Sequence, residues 1–306
     1  MNGDLILSLL AATVLAGTPL LYATLGEIVT ERSGVITRGV VGMSVLGASV
    51  AFTAPSHTGK ASVAALAAGL GAGCVGLLHG VVCLIFQGNQ TVSGLALTIF
   101  GVGLSDYLGT PFVGVQTEGF QSFALPVLGQ IPVLGPVFFQ HNALVYVSYL
   151  LPPLLWCFFN RSSTGLALRA AGEYPAAVSA AGLDPVRLRW LGIFVGAFLV
   201  GVGGAYLSLA ATHIWTHNLT AGKGWIAVGL VIFAFWRPGR ALFGAWLFGG
   251  IMALQLRLQA LGVNIPSSLM TMLPYALTVL ALLWASWRGH GRDAPAALGV
   301  NIEPRD

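Results

Sequence analysis

From residue 5 to residue 287 the chain is a succession of long apolar runs separated by short polar gaps, and this pattern decides the solvent it can fold in. The runs cover 5–25, 35–54, 61–86, 91–104, 142–159, 190–211, 225–236, 241–258 and 269–287. Only 8% of the residues are charged, against roughly 25% in a soluble domain. A water-facing surface would be mostly apolar, so the outer solvent must be lipid. A crossing helix needs ~20 apolar residues, and 306 residues hold about eight to ten of them. The runs are continuous rather than alternating, which favours helices over a closed barrel. The expected fold is all-α: a polytopic transmembrane helix bundle of about eight to ten spans, with broken or half helices and a short cytoplasmic helix.

Two runs, 91–104 and 225–236, are too short to cross alone. They read either as half-helices lining a polar path or as helices extended by polar neighbours. The arginines sit in gaps and suggest a sidedness. Arg161, Arg169, Arg187 and Arg189, then Arg237 and Arg240, then Arg288, Arg292 and Arg305 are expected on the cytoplasmic side together with the C-terminus. Lys60, Lys223 and Arg257 fall on the other. The net charge of +4 is therefore a membrane signature and not one for nucleic acid. The Pro- and Gly-rich stretch 109–140 is expected to be an external loop or a shallow re-entrant element. Asp4 stands where a cleavable signal peptide would carry basic residues, so none is expected. Cys74, Cys83 and Cys157 lie inside apolar runs and read as small core residues. The glycine clusters at 69–73 and 201–205 read as seams for close helix contact.

The largest polar gap runs from Arg161 to Arg189. Pro175 suits the first turn of a helix, alanines continue it, Gly182 can end it and Pro185 bars its extension. A helix of about two turns follows, flanked by Arg169 and Glu173 before it and by Asp184, Arg187 and Arg189 after it. Physics alone leaves two uses open: a handle for another protein, or an amphipathic helix on lipid headgroups.

Chemistry within the chain is not expected. Neither Lys60 nor Lys223 sits in the Gly-x-x-x-x-Gly-Lys-Ser/Thr loop that cradles phosphates, so any ATP hydrolysis belongs to a separate chain. His213 and His217 are four apart, but 212–218 reads as a loop rather than a metal-binding helix face. No catalytic or metal constellation can be placed. Candidate path residues are Asn89, Gln90, Ser93, Thr98 and Asn218, with Trp225 as an aromatic wall. Amides and hydroxyls bind uncharged polar ligands at modest desolvation cost, and an aromatic face stacks bases and sugars.

The sequence Gly172-Glu173-Tyr174-Pro175-Ala176-Ala177 followed by Ala180-Ala181-Gly182 resembles the coupling loop of ABC importer permeases of the ribose and branched-chain amino-acid group, in the branch described as simple-sugar or nucleoside permeases. Residues 26–36 resemble that branch's first loop, and 89–101 its fourth-span signature. Gly203-Gly204-Ala205-Tyr206, Trp225-Ile226-Ala227, Arg237-Pro238 and Met272-Leu273-Pro274-Tyr275 continue the likeness in order, from about residue 17 to 285. The resemblance implies one transmembrane permease domain over 1–288, with the coupling loop at about 161–189, and a polar cytoplasmic tail over 289–306. It implies a bacterial-type inner membrane location and a path for a nucleoside or simple sugar. It also implies an ATPase subunit, a second permease chain (identical or paralogous) and an extracytoplasmic binding protein as partners. ATP is then used by the partner and no cofactor by this chain, with Arg169, Gly172, Glu173, Pro175, Ala180 and Gly182 carrying the coupling. One stretch departs from the branch: Thr37-Arg38-Gly39-Val40-Val41 puts Val41 where an acidic residue is usual and adds Arg38. Arg38 either meets substrate along with Thr37, or snorkels or pairs with Glu27 or Glu31. The alternative reading is an ion-coupled secondary transporter. The carboxylates speak against it, since they lie mainly in gaps, with Glu27 and Asp106 at most flanking spans.

Overall fold

The computed structural model describes residues 3–53, 60–262, 266–287 and 294–302. Its helices are α1 (Gly3–Arg32), α2 (Val40–Thr53), α3 (Ala61–Gly80), α4 (Gln90–Gly109), α5 (Leu134–Phe138), α6 (Ala143–Arg161), α7 (Ser163–Glu173), α8 (Pro175–Ala180), α9 (Pro185–Tyr206), α10 (Lys223–Phe233), α11 (Pro238–Ala260) and α12 (Ser267–Trp287). Wider π turns extend α3 through Ile85 and α9 through Ala211. Six helices are long and apolar enough to cross a membrane, and three shorter apolar ones, in α2, α10 and α12, accompany them. The all-α bundle is as expected, broken helices included. The one sheet among the described residues is a two-residue antiparallel pair, Phe123–Ala124 with Gln140–His141.

The bundle is built around α1 and α9. Leu20, Leu21, Leu25 and Ile28 of α1 share a core with Phe248 of α11 and with Leu230 and Val231 of α10. Val200 and Ala197 of α9 meet Met43 and Leu46 of α2 and Ala72 of α3. Apolar burial gives little drive for helix association in lipid, so backbone approach must supply it. Hence the glycine seams: a methyl on Gly201 would sit 2.5 Å from the Ala68 carbonyl oxygen, so only glycine lets α9 lie against α3 there.

Three expectations change, and one open choice, that of run 91–104, is decided. The first span continues to Arg32, so the first half of the 26–36 "loop" is helix. Glu27 and Glu31 are buried in the bundle, 1% and 3% exposed, not at its edge. Run 35–54 is not one helix: 35–39 is extended and α2 starts only at Val40. Run 91–104 is a complete span, because Gln90, Asp106 and Thr110 are taken into a helix that reaches Phe112. Cys74 and Cys157 lie on the outer surface, where lipid accepts a thiol as readily as a core does; Cys83 alone is buried. By contrast α10 stays short, at 11 residues.

Stretch 109–142 is compact rather than helical in span. His141 is buried and donates from Nε2 to the Val137 carbonyl at 2.8 Å. Burial holds its imidazole pKa below the ordinary value. Gln116 bridges to Ile214, which places this stretch against loop 212–222 at the end of the bundle away from α7 and α8.

Candidate functional site

Two places combine polar groups with irregular backbone. The first is the extended segment between α1 and α2. In a bilayer interior each unpaired backbone group costs several kcal/mol, so non-helical chain survives only where protein satisfies it. Here α3 and α4 do so. Ile36 donates its N–H to Gln90 Oε1 at 2.8 Å, and its carbonyl faces His79 Nε2 at 3.0 Å. Thr98 donates its hydroxyl to the Arg38 carbonyl at 2.9 Å. Because Nε2 faces a carbonyl it carries the hydrogen, so Nδ1 is the acceptor for Ser93 Oγ at 2.9 Å. Three of the sequence-chosen residues, Gln90, Ser93 and Thr98, thus hold the break open, and His79 joins them. Nothing local in the sequence marks His79, which is one histidine in an apolar run.

Arg38 is partly exposed, and its Nη1 lies 3.8 Å from Glu31 Oε1. Glu31 Oε2 also accepts Trp236 Nε1 at 2.6 Å. Of the two open readings of Arg38, this geometry is the pairing one. Glu27, one turn earlier, has neither oxygen hydrogen-bonded, and the Thr37 hydroxyl is likewise buried without a partner.

The first turns of α2 and α10 meet inside the bundle. A methyl on Gly224 would lie 2.9 Å from the Val41 nitrogen. From this point α2 runs away from the end where Arg32 lies. α10 runs toward that end and delivers Trp236, whose carbonyl accepts from Arg32 Nε at 2.8 Å. Two helix N-termini, each a positive dipole end, therefore face one region, although Lys223 N and Trp225 N of α10 already donate to the Thr220 and Gly222 carbonyls at 2.9 and 3.0 Å. Trp225, in the first turn of α10, is 40% exposed beside it. Asn89 and Asn218 are placed elsewhere. Asn89 caps α4 by accepting from Val92 N at 3.0 Å, and Asn218 sits at positive φ in the turn that leads into α10. His217 of that loop pairs with Asp106 at 2.9 Å.

The second place is the polar gap after α6. It holds two helices, α7 and α8, where one was expected. Pro175 opens α8 and Gly182, at φ +79°, ends it. Pro185 then begins α9, with Asp184 capping Val186 N at 2.9 Å. Gly172 is buried at the end of α7 against the Arg32 carbonyl, closer than any side chain would allow. Glu173, Ala180 and Gly182 are exposed, whereas Arg169 reaches Asn160 Oδ1 at 2.9 Å. Tyr174 (66% exposed) and Leu183 (50%) flank α8 as large exposed side chains beside its small alanines. Neither was singled out from sequence, although both adjoin the helix-ending residues. Arg169, Arg237 and Arg240 line one cleft with Arg32, so these gaps lie on one face. Arg257, bonded to Ser8 at 2.6 Å, lies at the other end of α1.

Residues 9–282 match the family described as branched-chain amino acid transport system / permease component. A provisionally named glucose ABC transporter permease protein, TsgC13, of Haloferax volcanii is 40% identical over 83% of this chain and 79% of its own. The guanosine ABC transporter permease protein NupQ of Bacillus subtilis is 33% identical over 94% of both chains. The nucleoside ABC transporter permease protein NupC of Lactococcus lactis is 30% identical over 96% of both.

Proposed function

The chain belongs to the branched-chain amino acid transport system / permease component family, and from that premise we propose that it is the membrane-spanning subunit of an ATP-binding-cassette importer for a nucleoside or simple sugar. The observation that carries this is the match to guanosine and nucleoside permeases over nearly the whole of both chains. The plasma membrane is the location, with α7, α8 and the chain's C-terminal residues on the cytoplasmic side. A separate ATPase subunit grips α8 between Tyr174 and Leu183. A second permease chain, identical or paralogous, completes the path, and an external binding protein delivers the substrate.

The path runs past the meeting point of α2 and α10. The positive dipole ends of two helix N-termini attract the electronegative hydroxyl and ring oxygens of such a solute, and Trp225 offers a stacking face. Arg38 and Thr37 flank the same break. ATP binding to the partner closes it around α8, and the two states differ in the contacts made there, which is where the energy enters. Co-expression with the ATPase and second permease, followed by uptake of labelled guanosine and glucose into vesicles, tests the proposal. Saturable uptake of one of them supports it; uptake of neither, with the complex assembled, defeats the substrate assignment.

One observation favours a second reading. Glu27 is a buried, unpartnered carboxylate inside a span, the kind of group an ion-coupled transporter uses. That reading predicts uptake that follows an ion gradient without nucleotide.

A further inference from the structure

Residues 294–302 lie across the face that carries α7 and α8, held there by a continuous set of hydrogen bonds. Ala296 donates its N–H to Glu173 Oε2 at 3.1 Å, and Ala297 donates to the Gly172 carbonyl at 2.8 Å. Gly299 donates to the Gly34 carbonyl at 3.0 Å. Arg189, with no exposed surface, donates from Nη1 to the Val300 carbonyl at 2.6 Å. Asn301 donates from Nδ2 to the Gln87 carbonyl at 2.7 Å, and its Oδ1 accepts Gln90 Nε2 at 2.9 Å. The same Gln90 amide accepts Ile36 N–H from the broken segment. Glu173 at the mouth of α8 and Ile36 at the break are therefore joined through one strap and one side chain.

The strap also walls the groove beside α8, where Val300 and Ile302 face Pro175, Ala176 and Leu183. A partner that closes on α8 touches the strap as well.

We propose that residues 294–302 are a transmission strap: Asn301 positions Gln90, and through it the 35–39 break, in response to movement of α8. This rests on the reading that an ATPase grips α8. Helix packing offers a second route, through Gly172 on Arg32, so loss of the strap lowers coupling without abolishing assembly.

The test uses the assembled complex of permease, ATPase and binding protein in proteoliposomes, with co-purification of the ATPase, ATP hydrolysis and uptake read separately. Two variants are compared with the parent: Asn301→Ala, and a chain ended after residue 293. Both are expected to retain the ATPase and to hydrolyse ATP, while uptake per ATP falls by roughly fivefold or more, the lower range of inter-site couplings. Asn301→Asp keeps the Oδ acceptor for Gln90 but sets its second oxygen against the Gln87 carbonyl in place of the Nδ2 donor, so it is expected to recover part of that ratio and not all of it. An unchanged ratio in Asn301→Ala overturns the proposal, as does failure of Asn301→Asp to recover more than Asn301→Ala. If the parent chain itself retains no ATPase, the functional reading fails instead, and the two failures are distinct.

Discussion

Replacing Gln90 tests the account at the residue where break and strap meet. Gln90 is 4% exposed, and its amide serves both neighbours: Oε1 accepts Ile36 N–H at 2.8 Å and Nε2 donates to Asn301 at 2.9 Å. Leucine has nearly the same size and neither function. In Gln90→Leu the Ile36 N–H stays inside the bundle with no partner, at a cost of about 1–3 kcal/mol. Asn301 keeps its bond to the Gln87 carbonyl and is half-exposed, so its lost contact adds only about 0.5–1 kcal/mol. The sum is about 1.5–4 kcal/mol. Thr98→Val removes one hydroxyl from the Arg38 carbonyl and should cost less, about 1–2 kcal/mol. Gln90→Glu keeps an acceptor for Ile36 and places it against Asn301 Oδ1, so it should spare the break and loosen the strap. Unfolding in mixed micelles, followed by tryptophan fluorescence, ranks the three. Gln90→Leu indistinguishable from the parent, or less damaging than Thr98→Val, would refute the reasoning that these side chains hold the break.

Three further outcomes are expected. Trp236→Phe removes the donor to Glu31 Oε2, a hydrogen bond to an ionisable group worth about 1.5–3 kcal/mol, and should lower the unfolding midpoint while leaving α8 in place; an unchanged midpoint contradicts it. Gly182→Ala puts a Cβ at φ +79° and should cost about 1 kcal/mol, visible as faster proteolysis between α8 and α9, with no change in the rest of the bundle. His141 is held neutral by burial, so its folded pKa lies below the unfolded value of ~6.5. Stretch 109–142 is then fully stable above that value, loses stability as pH falls through it, and levels off below the depressed folded pKa; His141→Phe should flatten this profile, as read by hydrogen exchange.

What could be read from the sequence was what is encoded locally. α8 was legible because Pro175, Gly182 and Pro185 act on their own backbone, and α10 because its apolar run is short. The break at 35–39 was hidden, since Val35, Ile36 and Val40 are apolar and look helical. It exists because His79, Gln90 and Thr98, 43 to 60 positions away in chain, satisfy it. Glu27 and Glu31 read as a gap because charge signals water. Glu31 is carried inside by Trp236 and Arg38, partners no window of sequence could supply. Arg189 has the same history: two residues from exposed Arg187, it is wholly buried, because the strap closes over it. Run 91–104 left two readings open, and its polar ends, taken into the helix, decide for the full span.

In the proposed function, transport is powered from outside this chain and the drive is received at α8. Proteoliposomes holding the complete complex, supplied with substrate-loaded binding protein and either ATP or an imposed proton or sodium gradient, measure this directly. Accumulation that requires ATP, ignores both gradients and disappears when the ATPase subunit is left out is the predicted result. Accumulation by this chain alone, driven by either gradient with no nucleotide present, would contradict it.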